Sequence, residues 1–323
     1  MRVVQATRFG GPEVLVPGEA PDPVAGPGQV MVDVSVAGVT FVETQIRRGV
    51  DKWHGRPALP YVPGGTVAGR VSSVGEGVDP SWSGRRVIAD LGEAGGFAER
   101  AVAVVENLIP VPEGLGLSEA TALHTDGSTA LGLVEGARIL PGEWVLVEAA
   151  GGGVGTLLVQ LARAAGARVV GAARGARKLD LVRDLGADAV VDYSDPDWAE
   201  QVREATGGAG PDVVFDGVGG EIGRAAFEVA ADGGRFSVHG ASSGEVTMID
   251  PAQARRRGVE VIGIEQLFGF GPKMRGWAEQ VMAEAAAGRI RPIIGQTFPL
   301  EHASDAHAAI ESRSALGKTL LLI

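Results

Sequence analysis

The run Trp144–Ala162, Trp-Val-Leu-Val-Glu-Ala-Ala-Gly-Gly-Gly-Val-Gly-Thr-Leu-Leu-Val-Gln-Leu-Ala, restricts this chain more than any other stretch. Val145, Leu146 and Val147 read as a buried parallel strand, which breaks at small residues. Val154, Leu157, Leu158, Leu161 and Ala165 then recur at helical spacing. Strand, glycine turn and helix form the setting in which a glycine motif means a dinucleotide. Glycines allow the backbone a close approach to a pyrophosphate, and the helix N-terminus offers unbonded N–H groups and a positive dipole end. Ala150 stands where a strict G-x-G-x-x-G has its first glycine, and Gly152 and Gly155 fill the other two places. A tight strand-to-helix turn without a ligand would not need so many glycines.

A chain of 323 residues suits two domains rather than one core. The formal net charge of −11 argues against nucleic acid or an anionic membrane as partner. With no cysteine there are no disulfides, thiolate zinc sites or thiol nucleophiles. The first residues, Met1-Arg-Val-Val-Gln-Ala-Thr-Arg, show no secretory signal, and the longest uncharged run, Ala149–Ala162, is too short to span a bilayer. A cytoplasmic protein is therefore expected.

Residues 1–118 read as short strands (Val3–Ala6, Gln29–Ala37, Gly69–Val74, Arg86–Ala89, Gly96–Val104) between turn clusters such as Gly10-Gly-Pro12 and Gly75-Glu-Gly77. Their spacing predicts a partly open β-barrel, followed by a helix over Ser118–Gly136. From Trp144 the rhythm alternates. Strands are expected at 144–148, 168–173, 189–192, 211–216, 234–238 and 259–264, and helices at 154–165, 177–185, 197–206, 219–230, 251–257 and 272–287. Alternation of this kind predicts a doubly wound parallel sheet, so the fold class is α/β. The end of the chain reads as a strand, a helix over His302–Ser312 and a strand over Thr319–Ile323, which do not continue that rhythm. The expected division is 1–120 completed by 291–323, and 121–290.

A second signal concerns the cofactor. NAD-preferring sites carry an acid about 20 residues after the glycines, on the ribose 2′-hydroxyl. Here Ala173 occupies that place and Arg174 follows, with Arg177 and Lys178 beyond. Losing the carboxylate removes its repulsion of a 2′-phosphate, and the bases supply the opposite charge, favouring NADP(H). Bases opening a helix oppose its dipole unless an anion sits there.

Taken together, the β-rich front, Ala149–Gly155 and the ending Ile310-Glu-Ser-Arg-Ser-Ala-Leu-Gly-Lys-Thr319 resemble the medium-chain dehydrogenase/reductase superfamily. Within it the chain is similar to the zinc-independent NADPH:quinone oxidoreductases, the zeta-crystallin-like branch. Gly38–Gly49, Leu59–Gly64, Phe215–Gly219 and Val238–Ser243 add to the likeness, which spans essentially the whole chain. The resemblance implies a GroES-like catalytic domain, a Rossmann domain, a cleft between them and a homodimer joined through Rossmann edge strands. It assigns Gly152, Gly153, Val154 and Gly155 to the pyrophosphate, and Lys178 and Tyr193 to the 2′-phosphate. Arg313, Thr129, His239 and Ser242 fall at positions beside the cofactor. Zinc-dependent cousins have Cys at about Thr40, Gly-His-Glu where Gly64-Gly65-Thr66 stands, and a four-cysteine loop missing here between Gly92 and Phe97. With the five histidines scattered at 54, 124, 239, 302 and 307, no tetrahedral zinc site is visible. Quinone reductases commonly carry Asn at position 40, Tyr at 45 and Glu at 66, so these departures leave the substrate open.

The implied reaction is hydride transfer from NADPH to a small electrophile, a quinone or an α,β-unsaturated carbonyl, without metal. Thr40 and Gln45 are the expected donors to the developing oxyanion, since both donate without ionising. An enoyl-thioester or alkene reductase is the first alternative, with Arg47, Arg48 and Lys52 as a basic entrance. A low-turnover NADPH-binding sensor is the second.

Overall fold

The computed structural model describes residues 1–323. It divides into two units, Met1–Thr125 with Met282–Ile323, and Asp126–Val281. The first unit opens with β1 (Arg2–Ala6) and β2 (Leu15–Glu19), which pair antiparallel. There follow β3 (Gln29–Val39), α1 (Phe41–Arg48), β4 (Thr66–Val74), β5 (Arg86–Asp90), β6 (Arg100–Val104) and β7 (Leu108–Pro110). The long strand β3 gives one edge to β4 and the other to β6 at Gln29–Asp33. Val30, Val32 and Val34 enter the core from it. After an irregularity between Val34 and Val36 the inward positions become Ala37 and Val39. One extra residue switches the parity of a strand, which is what a bulge does.

Helix α1 was not expected from the sequence pattern. Thr40 Oγ1 accepts from Glu43 N at 3.3 Å, and Glu43 Oε2 accepts from Thr40 N at 2.7 Å, a reciprocal capping box. Gly49 at φ 73° ends the helix in the left-handed conformation that glycine takes without strain. The strand expected from Gly96 begins only at Arg100, because Gly96 N and Phe97 N bond to Gly64 O and Pro63 O, both at 2.8 Å.

After α2 (Leu117–Ala137) the second unit alternates: β8 (Trp144–Val147), α3 (Gly153–Ala164), β9 (Arg168–Ala173), α4 (Ala176–Asp184), β10 (Ala189–Asp192), α5 (Trp198–Ala205), β11 (Val213–Asp216), α6 (Gly220–Val229), β12 (Arg235–Val238), α7 (Pro251–Arg257) and β13 (Glu260–Ile262). The six strands are parallel in the order β10-β9-β8-β11-β12-β13. This is the α/β, doubly wound Rossmann arrangement, with order reversing between β8 and β11. Helices α5, α6 and α7 bury Trp198, Val202, Phe227 and Ala254 against Leu146, Val170, Val214 and Phe236. Val145, Val147, Val169 and Val213, at the alternate positions, are equally buried, as a sheet covered on both faces requires.

Helix α8 (Gly271–Ala286) precedes β14 (Ile294–Pro299), α9 (Ala303–Glu311) and β15 (Lys318–Leu322). Strand β15 pairs antiparallel with β3, and β14 pairs parallel with β15, so this segment extends the first unit's sheet. No helix is long and apolar enough to cross a membrane.

Candidate active site

In the second unit the glycine turn runs from the end of β8 to α3. Ala149 adopts φ 49°, unusual for a residue with a side chain, and its carbonyl accepts from Gly152 N at 2.8 Å. Gly152 is the N-cap of α3 and makes no side-chain capping bond. Gly155 is held to glycine: a Cβ there would stand 2.8 Å from Ala150 Cα and be driven into the Ala149 carbonyl oxygen. A helix N-terminus reached through glycines suits a pyrophosphate.

Lys178, in the first turn of α4, lays its stem over this turn, since a Cβ on Gly151 would lie 2.9 Å from Lys178 Cβ. Arg174 and Tyr193 meet at the ends of β9 and β10, with the guanidinium carbon 6.0 Å from the ring centroid. Asp192 accepts from Gly175 N at 2.8 Å and fixes the turn between β9 and α4. Burial alone would raise the Asp192 carboxyl, but hydrogen bonds from Ser194 and Gly175 and the charge of Arg174 hold it below the usual range. Glycine turn, Lys178, Arg174 and Tyr193 thus lie along the carboxyl ends of β8, β9 and β10.

Three groups missed by sequence reading close the other side. Asp126 of α2 packs its carboxyl on Gly153, with Cγ 3.0 Å from where a Cβ would stand, at the dipole-favoured end of α3. Thr129 follows one turn later, half-buried. Glu148, just after β8, is fully buried, and burial followed by the Asp216 charge raises its carboxyl well above the ordinary range. No hydrogen bond of ordinary geometry joins the two carboxyls. Asp216 itself accepts from Val218 N at 3.0 Å, Gly219 N at 2.7 Å and Thr247 Oγ1 at 2.5 Å. His239 follows β12, and burial lowers its imidazole to about 4 against the pull of Asp216. Its Nε2 lies 2.8 Å from where a Cβ on Gly217 would stand, and Ser242 N bonds Gly217 O at 3.4 Å. His239 and Ser242 therefore share the Gly217 turn.

The remaining site residues lie in the first unit. Thr40 caps α1 as described, and its O–H remains available to donate. Gln45 Nε2 donates to Thr44 Oγ1 at 2.9 Å, and Thr44 Oγ1 donates to Phe41 O at 2.7 Å. Arg313, at φ 60° just past α9, holds its guanidinium carbon 4.7 Å from the centroid of the Phe41 ring on α1. One expectation is corrected here: Arg47 is no part of a basic entrance. It is 0% exposed, donates to Gly10 O at 2.9 Å and pairs with Glu311. The charge pattern showed three bases within six residues but not that Arg47 faces inward from α1. No group of three or more His, Asp or Glu side chains is placed to hold a metal ion.

Comparison with known proteins places this geometry in a family. Residues 26–113 match the alcohol dehydrogenase GroES-like domain, and residues 153–272 match the zinc-binding dehydrogenase model. The chain is 34% identical to a quinone oxidoreductase of Rattus norvegicus, covering 100% of this chain and 98% of the relative. It is 33% identical to a 2-haloacrylate reductase of a Burkholderia species, over 97% of this chain and 96% of that one. Among solved structures, Escherichia coli quinone oxidoreductase complexed with NADPH superposes with a TM-score of 0.91 at 28% identity, covering 100% of both chains.

Proposed function

The chain belongs to the medium-chain dehydrogenase/reductase superfamily, in its zinc-independent quinone oxidoreductase branch, and from that premise we propose that it reduces quinones and α,β-unsaturated carbonyl compounds with NADPH. Both acceptor types offer an electron-poor carbon conjugated to an oxygen that can take negative charge. The relatives that reduce quinones and a haloacrylate fall on either side of this one chemistry. The observation that carries the reading is the glycine turn into α3 with Lys178 laid across Gly151.

Bound NADPH supplies the hydride. The amides of Gly153, Val154 and Gly155 hold the pyrophosphate, while Lys178, Arg174 and Tyr193 hold the 2′-phosphate. His239, neutral at physiological pH, and Ser242 offer uncharged hydrogen bonds beside the cofactor, as does Thr129. Arg313, steadied on Phe41, adds a cation. In the first unit, the Thr40 hydroxyl and the second N–H of the Gln45 amide polarise the acceptor oxygen.

Absorbance at 340 nm tests this with NADPH and a panel of quinones, enones and enoyl thioesters. Quinones and enones should oxidise NADPH, and NADH should be slower by about tenfold or more, with that preference lost in Lys178→Ala. NADPH binding with silence across the panel would instead support the sensor reading.

A homodimer completes the proposal. Strand β13 ends the parallel sheet with an unpaired edge, and Val261 on it is 40% exposed. Such an edge pairs readily with a second copy. Sedimentation equilibrium should return twice the chain mass, and a single-chain mass would overturn the assignment.

A further inference from the structure

One corner of the first unit gathers more proton-bearing groups than oxyanion polarisation needs. Glu43 spends its carboxylate on Thr40 N, at 2.7 Å, and Gly65 N, at 3.1 Å, which ties the start of α1 to the start of β4. The hydroxyls of Thr40 and Thr66 are thereby carried by adjoining backbone. Helix α2 crosses the same corner, since a Cβ on Gly38 would meet Thr121 Cγ2 at 3.4 Å and Thr66 O at 3.8 Å. One turn further along α2, His124 Nδ1 lies 3.4 Å from Thr66 Oγ1 and 3.4 Å from Thr125 Oγ1, and the two hydroxyl oxygens are 3.3 Å apart. His124 is only 6% exposed, whereas Thr40, Thr66 and Thr125 are half-buried and open towards solvent.

We propose that Thr66 and His124 form the proton-delivery pair of the reduction, which rests on the reductase reading above. The acceptor gains hydride from NADPH at carbon, breaking the C4–H bond, and its oxygen is left with the displaced electron pair. That oxygen takes the Thr66 hydroxyl proton. Thr66 takes the Nδ1 proton of His124, and the ring regains a proton from water through Thr125. The sum is one hydride from NADPH and one proton from water, a two-electron reduction. A hydroxyl serves in such a chain because it donates and accepts at once, and an imidazole because a ring nitrogen either donates or accepts according to its tautomer. The other ionisable groups at this corner do not compete. Glu43, whose carboxyl burial raises against the pull of the Thr40 amide and Lys318, has both oxygens committed to backbone amides, and burial pushes the Tyr61 hydroxyl up to about 12.

The full-length protein decides this with two variants, Thr66→Val, which keeps the shape of the side chain, and His124→Gln. Each should lower kcat at least about tenfold with NADPH affinity within about twofold of the unaltered chain. Each should also enlarge the solvent deuterium isotope effect, and the double variant should be no slower than the slower single one. Independently of turnover, 15N spectra of the histidine rings, with the His124 signal identified by its loss in His124→Gln, should show its Nδ1 resonance and titration midpoint moved in Thr66→Val. Unchanged turnover and isotope effect in both variants would overturn the pair, as would an unmoved Nδ1 resonance. A chain inert towards every acceptor would sink the reductase reading alone, and the ring spectra would still decide whether Thr66 and His124 exchange a proton.

Discussion

Gly155→Ala binds NADPH at least about a hundredfold more weakly than the unaltered chain, about 2.7 kcal/mol, while the far-ultraviolet spectrum stays that of the folded protein. The added methyl group meets backbone: Ala150 Cα at 2.8 Å, the Ala149 carbonyl carbon at 2.9 Å, and the Ala149 oxygen closer still. A flexible side chain could swing away, but these atoms move only if the turn itself opens. The turn has little freedom to do so. Ala149 is already in the left-handed region, and its oxygen is held by Gly152 N. Overpacking of this kind costs about 1–3 kcal/mol, and the relaxation displaces the α3 amides on which the pyrophosphate reading depends. Gly152→Ala is the control. There φ is −88° and the new Cβ stands 3.2 Å from Ala149 O, so binding should fall less than about tenfold. Titration of NADPH fluorescence measures both, and a Gly155→Ala protein with unaltered affinity would mean that the dinucleotide does not lie on this turn.

The contrast between the two units shows what a sequence makes legible. In the second, the strands inside the sheet are short, buried on both faces and followed by helices, so local periodicity locates them. The strands at Arg168–Ala173 and Ala189–Asp192 and the helix Pro251–Arg257 fall on their expected bounds. The edge strand β13 is shorter than the apolar run containing it, because only one neighbour supplies a ladder. In the first unit long-range pairing decides. Strand β2 contains Pro17 and Gly18 and forms because β1 pairs with it, which no local pattern announces. Helix α1 did carry a local signal, Thr40 followed three residues later by Glu43 and then Gly49, set within a stretch whose β-branched residues read otherwise. At the site, the glycines and bases are contiguous in sequence and were readable. Glu148 and Asp216 are not, because their nearness to each other and to His239, which the resemblance had assigned, follows from β8, β11 and β12 lying side by side in the sheet. His124 and Thr66 likewise meet only through the crossing of α2 over β4.

Arg47→Met should destabilise the first unit by about 3 kcal/mol, seen as a fall in its melting temperature of roughly 6–12 °C. Burial lowers the Arg47 guanidinium, and the Glu311 charge opposes that. Truncation leaves Gly10 O without its donor and Glu311 without its cation. The Glu311 side chain is 23% exposed and recovers some hydration, which places the cost at the lower end for a broken buried pair. Arg47→Met with Glu311→Leu should regain most of the loss, because an apolar pair carries no desolvation penalty. An Arg47→Met melting point within about 1 °C of the unaltered protein would show that the pair carries no net stability. Beside it stands His307, fully buried edge-on to Phe97, with neither ring nitrogen hydrogen-bonded. Burial, then the Arg47 charge, lowers its imidazole to about 3. Between the ordinary value of 6.5 and about 3, the unfolded chain binds a proton that the native chain refuses, so stability is lost as pH falls through this window. The slope approaches about 1.4 kcal/mol per pH unit for this one group. Buried Glu43 and Glu148, with raised carboxyls, act in the opposite sense, so the difference between His307→Leu and the unaltered protein isolates the imidazole. His307→Leu should flatten the decline in melting temperature between pH 6 and 4, while Arg47→Met, by removing a repelling charge, should flatten it in part. A decline of the same steepness in His307→Leu would place the acid sensitivity elsewhere.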